Sequence, residues 1–423
     1  MLFFYRLLCQ LLKPIYQRVM IPKRLKDGKE DPARLNEKFG FASMKRPSGK
    51  LIWIHAASVG ETLSILKLVR EIQSLYHDVQ ILVTSGTVTS ARVVADKFPK
   101  TIIHQFAPMD FQDSVTRFLN HWKPDLALWV ESELWPNMIF SVKERKIPLV
   151  SVNVRFSDRS LRRWCWFKGF FLDLLECFDV IFVQTKSVEK KLKAIGVQHV
   201  FYKGNLKFAA DPLDAPQDLL DVLEQSIKNR KVWVASSTHA GEEELILEVH
   251  EKLKTHFPDL LTILIPRHPD RAQKIMKLLG AHKETFQLFS ASPKPSETTD
   301  VLIVDQVGLL GVFYRLSPLV FVGGSFVGVG GHNIIEPAQL DSVIFHGRHM
   351  HNFREVLTQF KQFQGTNEVA DAQELANALH DLFLDPKKVQ GLIKKSKAAL
   401  VDQTDVLTQI MTGMKPYLKK ALS

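Results

Sequence analysis

Short runs of aliphatic and β-branched residues alternate with longer amphipathic stretches along most of the chain after residue 50. Each run has the length of one buried strand, and most intervening stretches have the length of a helix. The runs in the first half cover residues 51–54, 80–84, 101–104, 126–130, 149–153, 180–184 and 199–202. Because helix-length segments separate most of them, the pattern predicts βαβ units with parallel strands.

The alternation breaks at 209–217, where the segment AADPLDAPQ contains two prolines. It restarts with runs at 232–235, 261–265, 301–304 and 319–322. The chain is therefore predicted to be an α/β protein with two Rossmann-like domains, 23–208 and 218–423, joined by the linker 209–217. The last helix of the second domain is expected to pack back on the first. Paired domains of this kind predict a ligand cleft between them, at the carboxyl ends of the strands.

The first 22 residues have a different pattern, which predicts an amphipathic helix. The polar residues Arg6, Gln10, Lys13 and Gln17 recur at helical spacing, and leucine and aromatic residues fill the other side. No run approaches the roughly 20 apolar residues that a membrane-spanning helix needs. Leucine, aromatic and basic residues together favour a helix that lies in the membrane interface at the cytoplasmic face. The alternative is a core helix of the first domain.

Composition narrows the function classes. The chain has 423 residues, is 45% hydrophobic, and carries a formal net charge of +11, which favours partners with phosphate groups. Its three cysteines, Cys9, Cys165 and Cys177, have neither metal-ligand nor disulfide-framework spacing, so a reducing compartment is expected. No metal-binding motif is found, and no metal or cofactor is predicted.

The loop HAASVGET, residues 55–62, follows the first predicted strand and carries Glu61 where such loops usually bind phosphate. Ser58 and Glu61 fit a capping box, which requires no further function. The functional interpretation is that Glu61 accepts a proton, because WVESELWP places Glu131 and Glu133 after another parallel strand at the same sheet edge. For Glu131, a simple charge before the next helix is an equally strong interpretation. Lys207, in KGNLKFAADP near the domain junction, is either an anion ligand or a surface lysine.

The most specific segment is VFVGGSFVGVGGHNIIEPAQL, residues 320–340, in which five glycines follow a strand and precede a helix. Such glycines let backbone N–H groups approach a phosphate, and Glu336 is placed to accept hydrogen bonds from ribose hydroxyls. In LIPRHPDR, Arg267 and His268 follow a strand and suit a phosphate, although a lone histidine is more often structural. The N–H groups of Val307, Gly308 and Leu309 are expected to face the same ligand. The second domain is therefore predicted to bind a nucleotide.

A further segment, VRFSDRSLRRWCWFKGFF, interleaves five basic residues with tryptophan and phenylalanine. The pattern suits nucleic acid or anionic lipid headgroups, and the amphipathic N-terminus favours lipid. A solvated helix face is the alternative.

Taken in order, the motifs HAASVGE, ESELWP, GNLKF, STHAGEE, PRHP and GGHNIIEPA resemble those of the bacterial 3-deoxy-D-manno-octulosonic acid (Kdo) transferases of lipopolysaccharide synthesis. The resemblance covers nearly the whole chain. It departs from the family pattern at Ala209 and Leu309, where acidic residues are usual.

The resemblance implies a metal-independent, inverting glycosyltransferase of the GT-B fold that transfers Kdo from CMP-Kdo to a lipid A precursor at the inner membrane. It implies that Glu61 is the general base and that Glu131 and Lys207 support the transition state. The residues implied to bind CMP are Arg267, His268, Val307, Gly308, Leu309, Asn333, Ile334, Ile335 and Glu336. Ser58, Gly60 and Arg155 are expected near the acceptor or an anion.

Two other functions stay open at this stage: a GT-B transferase that uses a UDP-sugar, and a catalytically silent, membrane-bound nucleotide-binding protein. Nucleic acid is not an expected partner, because the basic residues are spread over both halves instead of forming one recognition element.

Overall fold

The computed structural model describes residues 1–282, 284–401 and 405–422. The chain forms two compact units. The first contains Met1–Ala210 and the last described helix, and the second begins at Asp211. The segment predicted as a linker therefore contributes its first two residues to the first unit and the rest to the second.

The first domain is built on a seven-stranded sheet in which every pairing is parallel. Its strands are β1 (Leu51–His55), β2 (Gln80–Ser85), β3 (Ile103–Phe106), β4 (Leu126–Val130), β5 (Leu149–Val154), β6 (Val180–Val183) and β7 (Val200–Tyr202). They lie in the order β3-β2-β1-β4-β5-β6-β7. The strand order reverses between β1 and β4, and ligands of such sheets bind at the carboxyl ends of the strands beside this switch point.

The helices of the first domain cover both faces of this sheet, as the buried, nearly continuous apolar strands require. They are α1 (Leu2–Ile15), α2 (Ile21–Lys26), α3 (Val59–Ser64), α4 (Leu66–Leu75), α5 (Val88–Lys97), α6 (Gln112–Trp122), α7 (Pro136–Glu144), α8 (Asp158–Cys165), α9 (Lys168–Leu175) and α10 (Lys186–Ile195). A π-helical turn, Tyr16–Met20, joins α1 to α2, and 3₁₀ helices cover Pro32–Phe39 and Leu206–Ala209.

The second domain repeats this plan with a second parallel sheet of seven strands. The strands are β8 (Val232–Thr238), β9 (Leu261–Pro266), β10 (Phe286–Leu288), β11 (Val301–Ile303), β12 (Leu319–Val322), β13 (Val343–His346) and β14 (Asn367–Glu368). Their order is β10-β11-β9-β8-β12-β13-β14, so the switch point lies between β8 and β12.

The helices around the second sheet are α11 (Gln217–Ile227), α12 (Glu243–Lys254), α13 (Ala272–His282), α14 (Leu310–Leu316), α15 (Ile335–Gln339), α16 (Arg354–Gln362), α17 (Ala372–Leu384) and α18 (Pro386–Val401). Short 3₁₀ helices cover Pro269–Arg271 and His351–Phe353.

The last helix, α19 (Val406–Leu422), packs against β4, β5 and α4 of the first domain. Its buried residues Val406, Ile410, Met414 and Leu418 recur every four positions and join the apolar core on that side of the sheet. Gly413 allows close packing, because a Cβ atom there would lie 2.6 Å from the ring of Phe182.

The N-terminal helix α1 contacts the rest of the domain through Tyr5, Arg6 and Lys13. Tyr5 donates a 2.8 Å hydrogen bond to Asp110, Arg6 pairs with Glu144 at 3.0 Å, and Lys13 pairs with Asp113. The leucine and phenylalanine side is exposed, as at Leu11, which is 66% exposed. In the described part of the chain, no helix has the length and apolar character that crossing a bilayer requires.

Candidate functional site

Four segments of the first domain leave the carboxyl edge of its sheet with polar side chains. Glu61 follows β1 and Glu131 follows β4, so the two carboxylates lie on either side of the switch point. Arg155 follows the next strand, β5, and Lys207 lies in the 3₁₀ helix after β7. The structure thus brings together residues that the sequence placed on four separate loops.

Glu61 is buried, with 6% of its surface exposed, in the first turn of α3. Its Oε2 accepts a 2.7 Å hydrogen bond from the N–H of Ala57, and its Oε1 accepts one of 2.8 Å from the hydroxyl of Ser58. Ser58 caps the helix by accepting from the N–H of Glu61. The predicted capping box is present in modified form, because Glu61 reaches back to the N–H of Ala57 rather than to that of Ser58.

Burial, together with the negative charges of Glu131 and Glu133, raises the pKa of Glu61 to about 7. The hydrogen bonds from Ser58 and Ala57 oppose this effect without cancelling it. The partial positive charge at the start of α3 therefore does not keep the pKa of Glu61 at its ordinary value. At neutral pH, the carboxyl group is divided between its acidic and basic forms, which suits proton transfer.

Glu131 is buried and holds two cations. Its Oε2 accepts a 3.0 Å hydrogen bond from Nε of Arg155, and Nζ of Lys207 lies 3.3 Å from its Oε1. The second contact is an ion pair without hydrogen-bond alignment. Glu131 has a φ of 57°, a left-handed conformation that a residue with a side chain adopts at some cost. It lies in the turn before α7, outside the first turn of that helix, and its carboxylate faces the two cations.

Lys207 is positioned by two asparagines. The side chain of Asn153, at an irregular point of β5 with a φ of 60°, accepts a 2.9 Å hydrogen bond from the N–H of Leu206. The side chain of Asn205 caps the 3₁₀ helix by accepting from the N–H of Lys207. This helix also contacts α3, which carries Glu61. The GNLK segment therefore fixes Lys207 at the sheet edge.

The remaining predicted residues of this domain have different surroundings. Ser58 and Gly60 are exposed, and a Cβ atom added to Gly60 would meet no described atom within 4 Å, so the surface beside Glu61 is open. Glu133 accepts a 2.9 Å hydrogen bond from the indole of Trp135.

Arg267 and His268 follow β9 at the carboxyl edge of the second sheet, and both are exposed. The ring of His268 lies edge-on to that of His239, which follows β8, with 5.8 Å between centroids. Nε2 of His239 lies 2.8 Å from Nε2 of His332, in the loop after β12. Three histidines and an arginine thus share the edge beside the switch point of this domain.

The glycine-rich loop between β12 and α15 differs from expectation. Glu242 is fully buried, and its carboxylate accepts four backbone hydrogen bonds, from His239, Gly324, Ser325 and Phe326. The N–H groups of Gly330 and Gly331 donate to the carbonyl of Gly324. The prediction that the glycines of this loop offer their N–H groups to phosphate is therefore wrong for Gly324, Gly330 and Gly331, because Glu242 and the Gly324 carbonyl already accept from them.

The end of the same loop leads into the short helix α15. The side chain of Asn333 accepts a 3.1 Å hydrogen bond from the N–H of Ile335, which begins α15. Ile334 and Ile335 are buried, whereas Glu336 is half-buried in the first turn of α15. Burial raises the pKa of the Tyr314 hydroxyl, and the negative charge of Glu336 raises it further. Among the described residues, no backbone atom accepts from the N–H groups of Asn333 and Ile334.

Val307, Gly308 and Leu309 form an exposed turn before α14, and Val307 is 85% exposed. The turn follows β11, which pairs with β9, so it lies at the same edge as Arg267 and His268. Gly308 has a φ of 91°, which the turn requires and which favours glycine.

His250, Glu284 and Asp300 bring potential metal-ligand atoms within 4.8 Å of one another. The ammonium group of Lys254 pairs with both carboxylates and already compensates their charge. Metal independence of the protein stays a prediction.

Sequence reasoning missed Glu242, His239 and His332. The first two lie in the quoted motif STHAGEE and the third in GGHNIIEPA, but their contacts join distant loops. A histidine in each of three motifs that follow parallel strands was the signal available.

The two doubly wound domains, with carboxylates and cations at the switch point of one and a cationic, histidine-rich edge on the other, have the GT-B architecture. Residues 33–210 match the family model of 3-deoxy-D-manno-octulosonic-acid transferases. The chain is 38% identical over 388 residues to the Kdo transferase of Rickettsia bellii, covering 92% of each chain. It is 34% identical over 394 residues to that of Haemophilus influenzae, again covering 92% of each.

The chain therefore belongs to the 3-deoxy-D-manno-octulosonic acid transferase family and is a glycosyltransferase. A crystal structure of a putative UDP-N-acetylglucosamine 2-epimerase from Listeria monocytogenes has the same fold, with a TM-score of 0.60 at 15% identity, covering 88% of this chain and 98% of the other.

Proposed function

We propose that the protein transfers Kdo from CMP-Kdo to a hydroxyl group of a lipid A precursor in lipopolysaccharide synthesis, with inversion and without a metal. The observation that carries the proposal is the placement of Glu61 at the switch point of the first domain, beside Glu131 and with a pKa near 7. A carboxylate of this kind suits the removal of a proton from a sugar hydroxyl.

In the proposed reaction, the acceptor oxygen forms a bond to the anomeric carbon of Kdo while its proton passes to Glu61. The bond from that carbon to the phosphate oxygen breaks, and its electron pair stays with CMP. A single displacement inverts the configuration. Glu131, held by Arg155 and Lys207, raises the pKa of Glu61 and brings two cations to the same edge of the sheet.

The second domain supports the role of nucleotide binding. Arg267 and His268 offer charge and hydrogen bonds to phosphate at the end of β9. The turn Val307–Leu309 and the segment Asn333–Glu336 offer backbone N–H groups and a carboxylate for the nucleoside. CMP leaves as an anion that such donors stabilise, so the reaction needs no separate acid.

The exposed side of α1 supports attachment to an anionic membrane surface. Its apolar residues face solvent while its polar stripe packs on the domain, the arrangement expected of an interfacial helix. Tyr5 of α1 also contacts Phe170 of α9. Four residues before Phe170 in the sequence is Trp166, which is 86% exposed and has exposed arginines nearby in the chain. We infer that this side of the first domain meets the inner membrane at its cytoplasmic face.

Glu61→Gln tests the proposal. Gln can accept the hydrogen bond from Ala57 but cannot remove a proton, so transfer from CMP-Kdo should fall by about 10²–10⁴-fold while CMP binding is unchanged. Glu71→Gln on α4 is the matched control and should transfer normally. Wild-type rates in Glu61→Gln would exclude Glu61 as the base. A stronger thermal shift with UDP than with CMP would contradict the assigned donor.

A further inference from the structure

His239 and His332 form a close pair whose role the proposed reaction does not yet use. Their Nε2 atoms lie 2.8 Å apart and the two rings are coplanar within 1°. At this distance, one Nε2 must carry a hydrogen that it donates to the lone pair of the other. The two imidazoles therefore share a proton between them.

The pair is held from both sides. Glu242 accepts from the N–H of His239 and from that of Gly324. The ring of His332 packs on Gly324, where an added Cβ atom would lie 3.1 Å from it. The contact thus joins the loop after β8, which carries His239, to the loop after β12, which carries His332.

The surroundings of the pair are mostly cationic. Burial, together with Arg267, His239 and His268, lowers the pKa of His332 to about 4. Burial also lowers the pKa of His239. The charge of Glu242 partly offsets this decrease, whereas His268, Arg267 and Arg271 add to it. Both rings are neutral near pH 7 when no anion is present. A bound anion reverses this balance, because a nearby negative charge favours the protonated form.

We propose that His239 and His332 bind the donor phosphate together with Arg267 and His268, and that the pair takes up one proton from solvent as the phosphate becomes a free monoester. The inference rests on the proposed use of CMP-Kdo. In that donor, the phosphate is a diester with one negative charge, whereas the monoester of CMP carries about −1.5 to −2 near pH 7. A pair that gains a proton at this moment stabilises the departing group when its charge increases.

Calorimetric titration of the full chain with CMP at pH 7.5, in two buffers of different ionisation enthalpy, measures the protons taken up on binding. The variant is the double substitution His239→Gln and His332→Gln, because Gln can keep a hydrogen bond near the Nε2 position but cannot be protonated. We expect the wild type to take up more protons than the variant, and the variant to bind CMP about 10- to 100-fold more weakly. Binding of cytidine, which lacks the phosphate, should be equal in both.

The matched control replaces His256 and His380 by Gln, since these rings form another pair in the same domain with centroids 4.9 Å apart. It should behave as the wild type. If the double variant does not fold, His332→Gln alone is measured in the same way. An unchanged proton count with intact CMP binding overturns the inference and leaves the proposed function standing. Failure of the wild type to bind CMP overturns both.

Discussion

At the residue scale, two opposing effects act on the pKa of Glu61. Burial and Glu131 favour its neutral form, whereas hydrogen bonds from Ala57 and Ser58 favour the carboxylate. Because burial is the largest of these, the folded protein binds the proton of Glu61 more tightly than the unfolded chain does. The burial that raises the pKa of Glu61 therefore costs stability at alkaline pH.

This cost can be measured. The penalty is absent below the ordinary pKa of 4.5 and complete above the folded value of about 7, where it reaches about 3 kcal/mol by linkage. Glu61→Gln removes it, so the free energy of unfolding in urea at pH 8 should exceed that of the wild type. The difference should shrink as the pH falls to 5. A difference that does not change with pH would show that Glu61 titrates normally.

Glu242 permits a second measurement at this scale. In Glu242→Gln, the amide NH₂ group faces two backbone N–H donors that the carboxylate oxygen accepted before. Two buried donors left unsatisfied should lower the free energy of unfolding by about 2–6 kcal/mol and weaken CMP binding. Glu244→Gln, at an exposed neighbour, is the control and should change neither quantity. Equal unfolding curves for the two variants would exclude a role of Glu242 in holding the glycine-rich loop after β12.

Sequence predicted the site residues best where a motif directly follows a strand. Glu61 and Glu131 could be placed at one sheet edge because the carboxyl ends of parallel strands share an edge, whereas Lys207 could be placed only near the domain junction. Glu242 could not be assigned, since its four donors come mainly from a loop more than 80 positions away. A glycine-rich loop with free N–H groups and one saturated by a carboxylate have the same local pattern.

At the element scale, α1 reverses the usual arrangement of an amphipathic surface helix. Its charged residues Arg6 and Lys13 make ion pairs with the domain, and its leucines are exposed. Periodicity established that the helix has two sides, but not which side packs. The partners Glu144 and Asp113 lie more than 90 positions away and decided the matter.

This orientation predicts a loss of membrane binding when the exposed side is charged. Leu8→Glu with Leu11→Glu should reduce flotation with phosphatidylglycerol-containing vesicles by at least about tenfold, because each buried leucine contributes about 1.5–3 kcal/mol when fully desolvated. The control Gln10→Glu adds charge to the same helix at a polar position and should bind nearly as the wild type. Equal flotation of the two variants would contradict the proposed attachment.

The strands of the two sheets show which elements could be predicted from the sequence and which were missed. The strands that open each domain were predicted within three residues of their ends, because long apolar runs bounded by loops are distinctive. The strands β10, β13 and β14 were missed. Two of them have only two or three residues, and β13 follows the glycine loop so closely that its apolar run, Val343–His346, was not separated from it.

At the scale of the whole molecule, the chain leaves the first domain after Ala210, completes the second, and returns as α19. The buried residues of α19 cover one side of the first sheet, where they pack on β4 and β5 beside α4. The stability of the first domain therefore depends on residues from both ends of the chain.

A charge in this contact should act on one domain alone. Ile410→Asp buries an unpaired carboxylate against the first sheet, so calorimetry should show the thermal transition of the first domain lowered and that of the second unchanged. CMP binding should survive at temperatures where Kdo transfer is lost. Gln409→Asp, one position away on the exposed side, is the control. If both transitions fall together, the domains do not unfold independently.

Because α19 belongs to the first domain, that domain is completed last during translation. The second domain emerges in full before the helix that completes the first, at roughly 5–20 residues per second. For a period on the order of tens of seconds, the nascent first domain exposes the apolar strip that Phe182 and its neighbours form, and this strip is a natural site for a chaperone. A premature stop codon between α18 and α19 would leave the second sheet with its helices and deprive the first domain of α19.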